Sequence, residues 1–148
     1  MGAKALKGIY ARAEVVFVNK EEAQKILKTK ELDIKKLLNG LCALGPKIAV
    51  ITDGKLGAYA KEGKEYWFMP IYPDPKPPVE RTGAGDSFAS AFTAALVKGY
   101  SISDALLWGP VNSMSVVQYI GAREGLLTEA KLKKYLKAAP RNYKPKRI

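Results

Sequence analysis

The chain has 148 residues, 47% of them hydrophobic, and its 25 lysines and arginines against 14 acids give a formal charge of +11. This length favours one domain with an ordinary hydrophobic core, and no apolar run is long enough to cross a bilayer. The absence of histidine excludes histidine-based acid–base catalysis and histidine-ligated metal sites. Any proton transfer must then use carboxylates, lysines or tyrosines, and any divalent metal would be a hard cation with oxygen ligands.

Cys42 is the only cysteine, so no disulfide can form within the chain. The first 16 residues, MGAKALKGIYARAEVV, lack the apolar core and the cleavage site of a signal peptide. We therefore expect a cytoplasmic protein in which Cys42 is a buried, unreactive thiol.

Positive charge is concentrated near the end of the sequence. Eight cationic residues occur there without an acid among them: Lys131, Lys133, Lys134, Lys137, Arg141, Lys144, Lys146 and Arg147. Such a cluster could attract nucleic acid or another polyanion, or it could be a solvated helix face followed by a frayed basic tail. Because no nucleic-acid motif accompanies the charge, we favour the second interpretation and expect neither nucleic acid nor membrane as a partner.

Hydrophobic periodicity and capping residues predict the elements in chain order. The first half of the chain should contain a helix over 3–12, a buried strand over 14–19, a helix over 20–29, and a helix that is capped by Asp33 and ended by Gly45-Pro46. A second buried strand over 47–52 and a hairpin with strands over 57–61 and 65–71 should follow. The last predicted elements are helices over 85–98, 102–119 and 128–137. A proline-rich connection separates the hairpin from the last three helices.

This order of elements predicts an α/β fold, a layered sheet with flanking helices. Two buried strands and a hairpin make a thin sheet for such a fold. We therefore expect one sheet edge to be exposed for pairing with something that this chain lacks, and a homodimer through that edge is one way to cover it.

The most informative motif is the turn Gly83-Ala84-Gly85-Asp86 before the helix of small residues. Glycines allow close approach of the backbone and positive φ angles, and a helix start directs backbone N–H groups at an anion. Asp86 would repel phosphate, unless it faces a hydroxyl group that must lose its proton. The turn could also be an ordinary helix start with a first-turn acid, but Thr82 before it and the small residues after it favour an anion site.

A second glycine segment follows the buried strand at 47–52. It consists of Thr52, Asp53, Gly54, Lys55, Leu56 and Gly57. The carboxyl ends of parallel strands are where open α/β sheets bind nucleotides, although Asp53-Gly54 alone could equally be a turn into the hairpin.

The third segment follows the other buried strand, where Asn19 precedes Lys20-Glu21-Glu22. Asn19 is a natural helix cap. Two neighbouring strand ends that both carry polar groups also form the usual geometry of a site, in which Glu22 could orient metal-bound water.

Together these three segments resemble the C-terminal half of a ribokinase/PfkB-family carbohydrate kinase. The family's D-T-x-G-A-G-D-x-F signature lies over Val79–Phe88, its N-x-x-E motif matches Asn19 and Glu22, and its T-x-G-x-x-G segment matches Thr52, Gly54 and Gly57. The stretch from Asn112 to Ala122 resembles the helix and turn that close over the adenine.

The resemblance implies a ribokinase-like fold of which this chain is the C-terminal portion, and ATP- and Mg²⁺-dependent transfer of phosphate to an alcohol group of a sugar or nucleoside. It also implies the role of each site residue. Asp86 is the catalytic base; Gly83, Ala84 and Gly85 form the anion hole; residues 52–57 with Thr82 and Asn112 contact the nucleotide; and Asn19 and Glu22 act near phosphate and magnesium, with Glu22 as the metal residue.

Two departures from the family pattern limit this interpretation. Glu80 and Arg81 replace the usual Asp-Thr, which puts the monovalent-cation site of some members in doubt. The family's N-terminal half, with most sugar contacts and the lid, has no counterpart here. We therefore expect residues 1–138 to be the nucleotide-binding part and 139–148 a basic tail, in a chain inactive by itself. The alternative is a non-catalytic nucleotide-binding module that needs a partner chain.

Overall fold

The computed structural model describes residues 6–148. They form two compact units, one that runs to residue 68 and includes 147–148, and one that comprises residues 69–146. The predicted helix over 3–12 is present as the short α1 (Lys7–Tyr10), while residues 3–5 of that prediction lie outside the described residues.

A five-stranded sheet has its strands in the order β1-β2-β3-β4-β5. Their bounds are β1 Val15–Asn19, β2 Ile48–Thr52, β3 Ala58–Glu62, β4 Glu65–Met69 and β5 Lys146–Arg147. β1 and β2 are parallel, with Asn19 opposite Thr52 at their carboxyl ends, and β3 runs antiparallel to β2. The two predicted strands and the hairpin are therefore confirmed, and β1 is an edge strand of the sheet.

The helices α2 (Lys20–Leu27) and α3 (Ile34–Ala43) bury their apolar faces against this sheet. Leu37, Leu38 and Leu41 pack with Ala49 and Ile51 of β2 in one hydrophobic cluster. α3 begins where predicted, because the Asp33 carboxylate accepts hydrogen bonds from the first-turn amides of the helix, at 2.8 Å from Lys35.

The second unit is helical and contains α4 (Ala84–Val97), α5 (Ile102–Val116) and α6 (Glu129–Lys137). Close packing of α4 on α5 depends on Gly109 of α5, because a Cβ there would lie 2.6 Å from the Phe88 ring of α4. The hydroxyl of Thr128 caps α6 as predicted, by accepting from the Lys131 amide at 3.4 Å.

The expectation of a frayed end to the chain is wrong, because the last residues are ordered by specific contacts. The buried Tyr143 donates its hydroxyl to the Leu107 carbonyl at 2.7 Å. Further along, the Ile148 amide donates to the Tyr66 carbonyl at 3.0 Å, and Arg147 pairs with Glu65 at 3.1 Å. Prolines and charged residues predominate here, so the sequence pattern predicts neither the anchoring role of Tyr143 nor the two-residue strand β5.

Within residues 6–148, no helix is both long and apolar enough to cross a membrane. The longest, α5, has 15 residues, whereas a spanning helix needs about 20 apolar residues.

Leu38 tests the core of the first unit. Its side chain is fully buried, so Leu38→Ala removes apolar contacts and leaves a cavity, and we expect a loss of about 2–5 kcal/mol in the free energy of unfolding measured by urea denaturation. Leu32→Ala is the matched control, because Leu32 is 70% exposed and the change should cost less than about 0.5 kcal/mol. Equal losses in the two variants would contradict the packing described.

Candidate active site

The turn before α4 is held open by Gly83. Its φ of 78° lies in the left-handed region, which side chains other than glycine adopt only with strain. A Cβ at this position would also lie 2.6 Å from the Cβ of Ala122. Both observations require glycine at position 83, and the second shows that the start of α4 lies directly against the turn at Gly121-Ala122.

Gly85 differs from Gly83, because nothing in the fold requires it to be glycine. It lies in the first turn of α4, its φ is not positive, and an added Cβ would meet no atom within 4 Å. A glycine in a helix costs about 0.5–1 kcal/mol relative to alanine. The open space beside its backbone is what close approach of a ligand requires.

The first turn of α4 leaves donors unused. Gly83 has no side chain that could cap the helix, and the amides of Gly85 and Asp86 have no acceptor within residues 6–148. Because the first N–H groups of a helix carry partial positive charge, these two amides give the 14-residue helix an exposed terminus of partial positive charge.

The Asp86 side chain is exposed and forms no hydrogen bond or ion pair with the described part of the chain. Two other first-turn acids are engaged: Asp104 accepts from the Ser101 hydroxyl at 2.6 Å, and Glu129 pairs with Lys98 at 2.9 Å. Asp86 therefore has a carboxylate available to a ligand, placed beside the unused amides.

Hydrogen bonds from α5 fix the position of this terminus. The Ser113 hydroxyl donates to the Ala84 carbonyl at 2.7 Å, and Asn112 Nδ2 donates to the Ser87 carbonyl at 2.8 Å. Asn112 is buried and its Oδ1 accepts from the Leu127 amide at 3.0 Å. The structure thus gives Asn112 a role in joining α4, α5 and the turn before α6, and its contact with a nucleotide stays a prediction.

Glu80 connects the same two turns. Its carboxylate accepts from the Thr82 hydroxyl and from the Gly121 amide, the latter at 2.9 Å. The bond from Thr82, and to a smaller extent that from Gly121, holds the pKa of Glu80 below its usual value. Sequence reasoning treated Glu80 only as a departure from a motif, since nothing in the sequence pairs residue 80 with residue 121.

In the first unit, Asn19 and Glu22 form a capping box at the start of α2. The Glu22 amide donates to Asn19 Oδ1 and the Asn19 amide donates to Glu22 Oε2, both at 2.8 Å. The cap interpretation is confirmed, whereas a role for Glu22 toward magnesium stays a prediction. Among the described residues, no three acidic or thiol side chains are grouped to hold a metal ion.

The segment after β2 lies beside this cap. Lys20 of α2 forms an ion pair with Asp53 at 3.5 Å, an interaction that the sequence did not predict.

Residues 54–56 form a single 3₁₀ turn, which is closed by a 2.9 Å hydrogen bond from the Asp53 amide to the Gly57 carbonyl. Gly54 has a φ of 54° and open space beside it. The exposed residues of the segment are Gly54, Lys55 and Leu56, while Thr52 is half-buried. The polar ends of β1 and β2 are thus brought together as predicted.

Comparison with known proteins agrees with these motifs. Residues 2–129 match the model of the pfkB family carbohydrate kinases. The chain is 32% identical over 123 residues to the ATP-dependent 6-phosphofructokinase of Thermoanaerobacterium thermosaccharolyticum, covering 82% of this chain and 36% of that protein. It is 32% identical over 119 residues to the cytidine kinase of Thermococcus kodakarensis, and the match covers 78% of this chain and 41% of that protein. It spans about two fifths of these curated relatives.

Solved structures show the same fold. The nucleoside kinase of Methanocaldococcus jannaschii, an archaeal member of the ribokinase family, superposes with a TM-score of 0.79 at 25% identity, covering 93% of this chain and 44% of that one. A ribokinase II from E. coli, solved in complex with ATP and Mg²⁺, superposes with a TM-score of 0.79 at 21% identity, and the match covers 91% of this chain and 42% of that one. The fold is thus the ribokinase-like α/β fold expected from the sequence.

The two glycines of the turn should respond differently to alanine. Gly83→Ala places a Cβ at a positive φ and against Ala122, so we expect it to lower the free energy of unfolding by about 2 kcal/mol or more. Gly85→Ala meets no atom and should leave stability unchanged or raise it by up to about 1 kcal/mol. Urea denaturation of both variants tests this, and a large loss for Gly85→Ala would show that the fold itself requires glycine there.

The contribution of Glu80 should depend on pH. Because its pKa is lowered in the folded chain, the ionised group stabilises the fold above its unfolded pKa of about 4.3, and this stabilisation is lost as the pH falls further through the folded value. We expect Glu80→Gln to lower the Tm at pH 7, and we expect the Tm difference from the unsubstituted chain to shrink as the pH falls below about 4.3. Glu62→Gln, at an exposed hairpin position, is the control and should leave the Tm unchanged both at pH 7 and at low pH. A Tm difference for Glu80→Gln that does not shrink below about pH 4.3 would contradict this origin.

Proposed function

Because the chain belongs to the pfkB family of carbohydrate kinases, we propose that it acts in ATP-dependent phosphoryl transfer to an alcohol group of a sugar or nucleoside. The observation that carries the proposal is the start of α4, where the amides of Gly85 and Asp86 are unused and the Asp86 carboxylate is exposed and unpaired among the described residues.

The glycine turn would hold the phosphoryl group in transfer. Negative charge spreads over its oxygens in the transition state, and the protein contributes mainly by positioning and by electrostatic stabilisation. Backbone amides at a helix terminus suit this role because they are fixed before the reaction. Gly83 and Ala84 shape the turn, and the absence of a side chain at Gly85 lets a phosphoryl group approach the backbone.

Asp86 would act as the base. Its carboxylate accepts the proton of the acceptor hydroxyl while that oxygen forms its bond to the γ-phosphorus, and the bond from this phosphorus to the bridging oxygen breaks as ADP leaves. A carboxylate fits a chain without histidine.

The remaining site residues would bind the nucleotide and its metal. We assign Thr52, Asp53, Gly54, Lys55, Leu56 and Gly57 to the nucleotide, together with Thr82 and Asn112. Mg²⁺ is usually held by one or two carboxylates, waters and the substrate phosphates rather than by a full protein cage. Glu22 fits this pattern, because one of its oxygens caps α2 and the other can orient a metal-bound water. The ion would neutralise charge on the phosphates. A monovalent cation has less support, since Glu80 is engaged by Thr82 and Gly121.

The acceptor is selected by residues outside this chain, which spans about two fifths of its curated relatives. We therefore propose that residues 1–138 form the nucleotide-binding, C-terminal part of a ribokinase-like kinase, and that the chain alone is inactive. The second candidate is a non-catalytic nucleotide-binding module that works with a partner chain. The edge strand β1 supports pairing with a partner chain, because it pairs only with β2 within the described residues. A second copy of the chain is one candidate for this partner.

We also propose a cytoplasmic location, where ATP is available. The single cysteine supports it: Cys42 is half-buried and burial raises the pKa of its thiol, as expected of an unreactive group that needs no oxidising compartment.

Asp86→Asn tests the catalytic proposal. In the longest reading frame that contains these 148 residues, sugar- or nucleoside-dependent ADP formation should fall by at least about 100-fold, because the amide cannot accept the proton. ATP affinity should stay within about threefold. Asp104→Asn is the matched control, since Asp104 is a first-turn acid of α5, and it should keep its activity.

Two outcomes would overturn parts of this proposal. Loss of ATP binding in parallel with turnover would reduce Asp86 to a structural role. Robust acceptor-dependent ADP formation by the pure 148-residue chain would disprove its inactivity. If the whole reading frame binds ATP but phosphorylates none of a panel of sugars and nucleosides, the non-catalytic module is the better description.

A further inference from the structure

The second unit contains a cavity away from the start of α4. It lies between α6, the end of α5 and the turn at 124–127, and it has a volume of about 540 Å³. We call it the α6 pocket. Its principal lining residues are Tyr119, Glu124, Leu126, Lys131, Lys134 and Tyr135. Cavities of 300–1,000 Å³ are typical of sites that bury small organic ligands.

The wall on the α5 side is fixed by buried polar groups. The buried Ser115 donates its hydroxyl to the Gly125 carbonyl at 2.7 Å, and the buried Asn112 accepts from the Leu127 amide at 3.0 Å. Gly125 has a φ of 81°, and a Cβ there would lie 2.4 Å from the Tyr119 ring. The turn therefore packs on that ring, so this wall is formed before any ligand binds.

Tyr135 on the opposite wall is also held in place. Its backbone carbonyl accepts from the Tyr72 hydroxyl at 3.0 Å, and its ring packs edge-on against the Tyr72 ring with 5.9 Å between centroids. Tyr119, Leu126 and Tyr135 are nevertheless exposed. They give the pocket aromatic and aliphatic surface that a planar ring can cover.

The pocket also carries unpaired positive charge. Lys131 and Lys134 lie three residues apart on α6, on the face that borders the cavity. Neither forms an ion pair within residues 6–148, whereas Lys133 on the same helix pairs with Glu129 at 2.8 Å. With Glu124 as the only acid in the lining, the pocket has a net charge of +1 from two lysines and one carboxylate.

We propose that the α6 pocket binds a small organic anion with a planar ring. The ring would cover Tyr119, Leu126 and Tyr135, the anionic group would pair with Lys131 and Lys134, and Glu124 would favour a hydrogen-bond donor on the ligand. This site uses none of the residues assigned to phosphoryl transfer except the buried support Asn112, and it does not depend on the proposed function.

The test uses matched probes on the whole 148-residue chain. Naphthalene-1-carboxylate has the ring and the charge, 1-naphthalenemethanol has the ring alone, and cyclohexanecarboxylate has the charge alone. Titrations followed by ¹⁵N–¹H NMR should show saturable shifts of the amides at 119, 124–127 and 131–135 with the first probe. Each of the other two should bind at least about tenfold more weakly.

Two substitutions separate the pocket from general attraction to a basic chain. Lys134→Glu should weaken the binding of naphthalene-1-carboxylate about tenfold. Lys137→Glu makes the same charge change in the same last turn of α6, outside the pocket, and should change affinity less than about twofold. Circular dichroism confirms that both variants fold. Equal affinities for the three probes, equal losses in the two variants, or no binding at millimolar probe would each overturn the proposal.

Discussion

The contact between the turn before α4 and the turn after α5 is the constraint on which the candidate site depends. Gly83 lies so close to Ala122 that no side chain fits between them, and Glu80 binds Thr82 in its own turn and Gly121 in the other. Ser113 and Asn112 then hold the first turn of α4 from α5. These polar contacts keep the helix terminus in one position while its amides face solvent, which is the preorganisation that electrostatic stabilisation of a transition state requires.

The same arrangement explains why glycine occurs for different reasons at two positions, 83 and 85, that lie two residues apart. Gly83 is fixed by backbone geometry and by packing, so it would be needed even in a protein without activity. Gly85 has neither reason, and access of a ligand to the backbone would explain why a residue that costs helix stability stands there. Asp86 likewise differs from Asp104 and Glu129, which lie in the first turns of α5 and α6 and are held by neighbours, whereas the Asp86 carboxylate has no partner within residues 6–148. Residues that the fold leaves unexplained are those expected to serve function.

Much of the fold follows from the sequence because local signals agree with one another. β-branched runs become β1 and β2, Asp33 and Thr128 cap the helices they precede, and Gly63 lies in the turn of the hairpin. What sequence reasoning missed are contacts between residues far apart in the chain. Tyr143 reaches the Leu107 carbonyl, Glu80 reaches Gly121, and Asn112 joins three segments. No periodicity encodes such pairs, since they depend on how elements pack.

The central claim is that the start of α4 is a site for a phosphoryl group. It is tested most directly by titrating the 148-residue chain with inorganic phosphate and following the backbone amides by ¹⁵N–¹H NMR. The account predicts saturable downfield shifts of the Gly85 and Asp86 amides, which weaken as salt is added and are lost in Gly85→Val, where a branched side chain covers the backbone. Shifts spread over the lysines of α6 with none at residues 85 and 86 would contradict it.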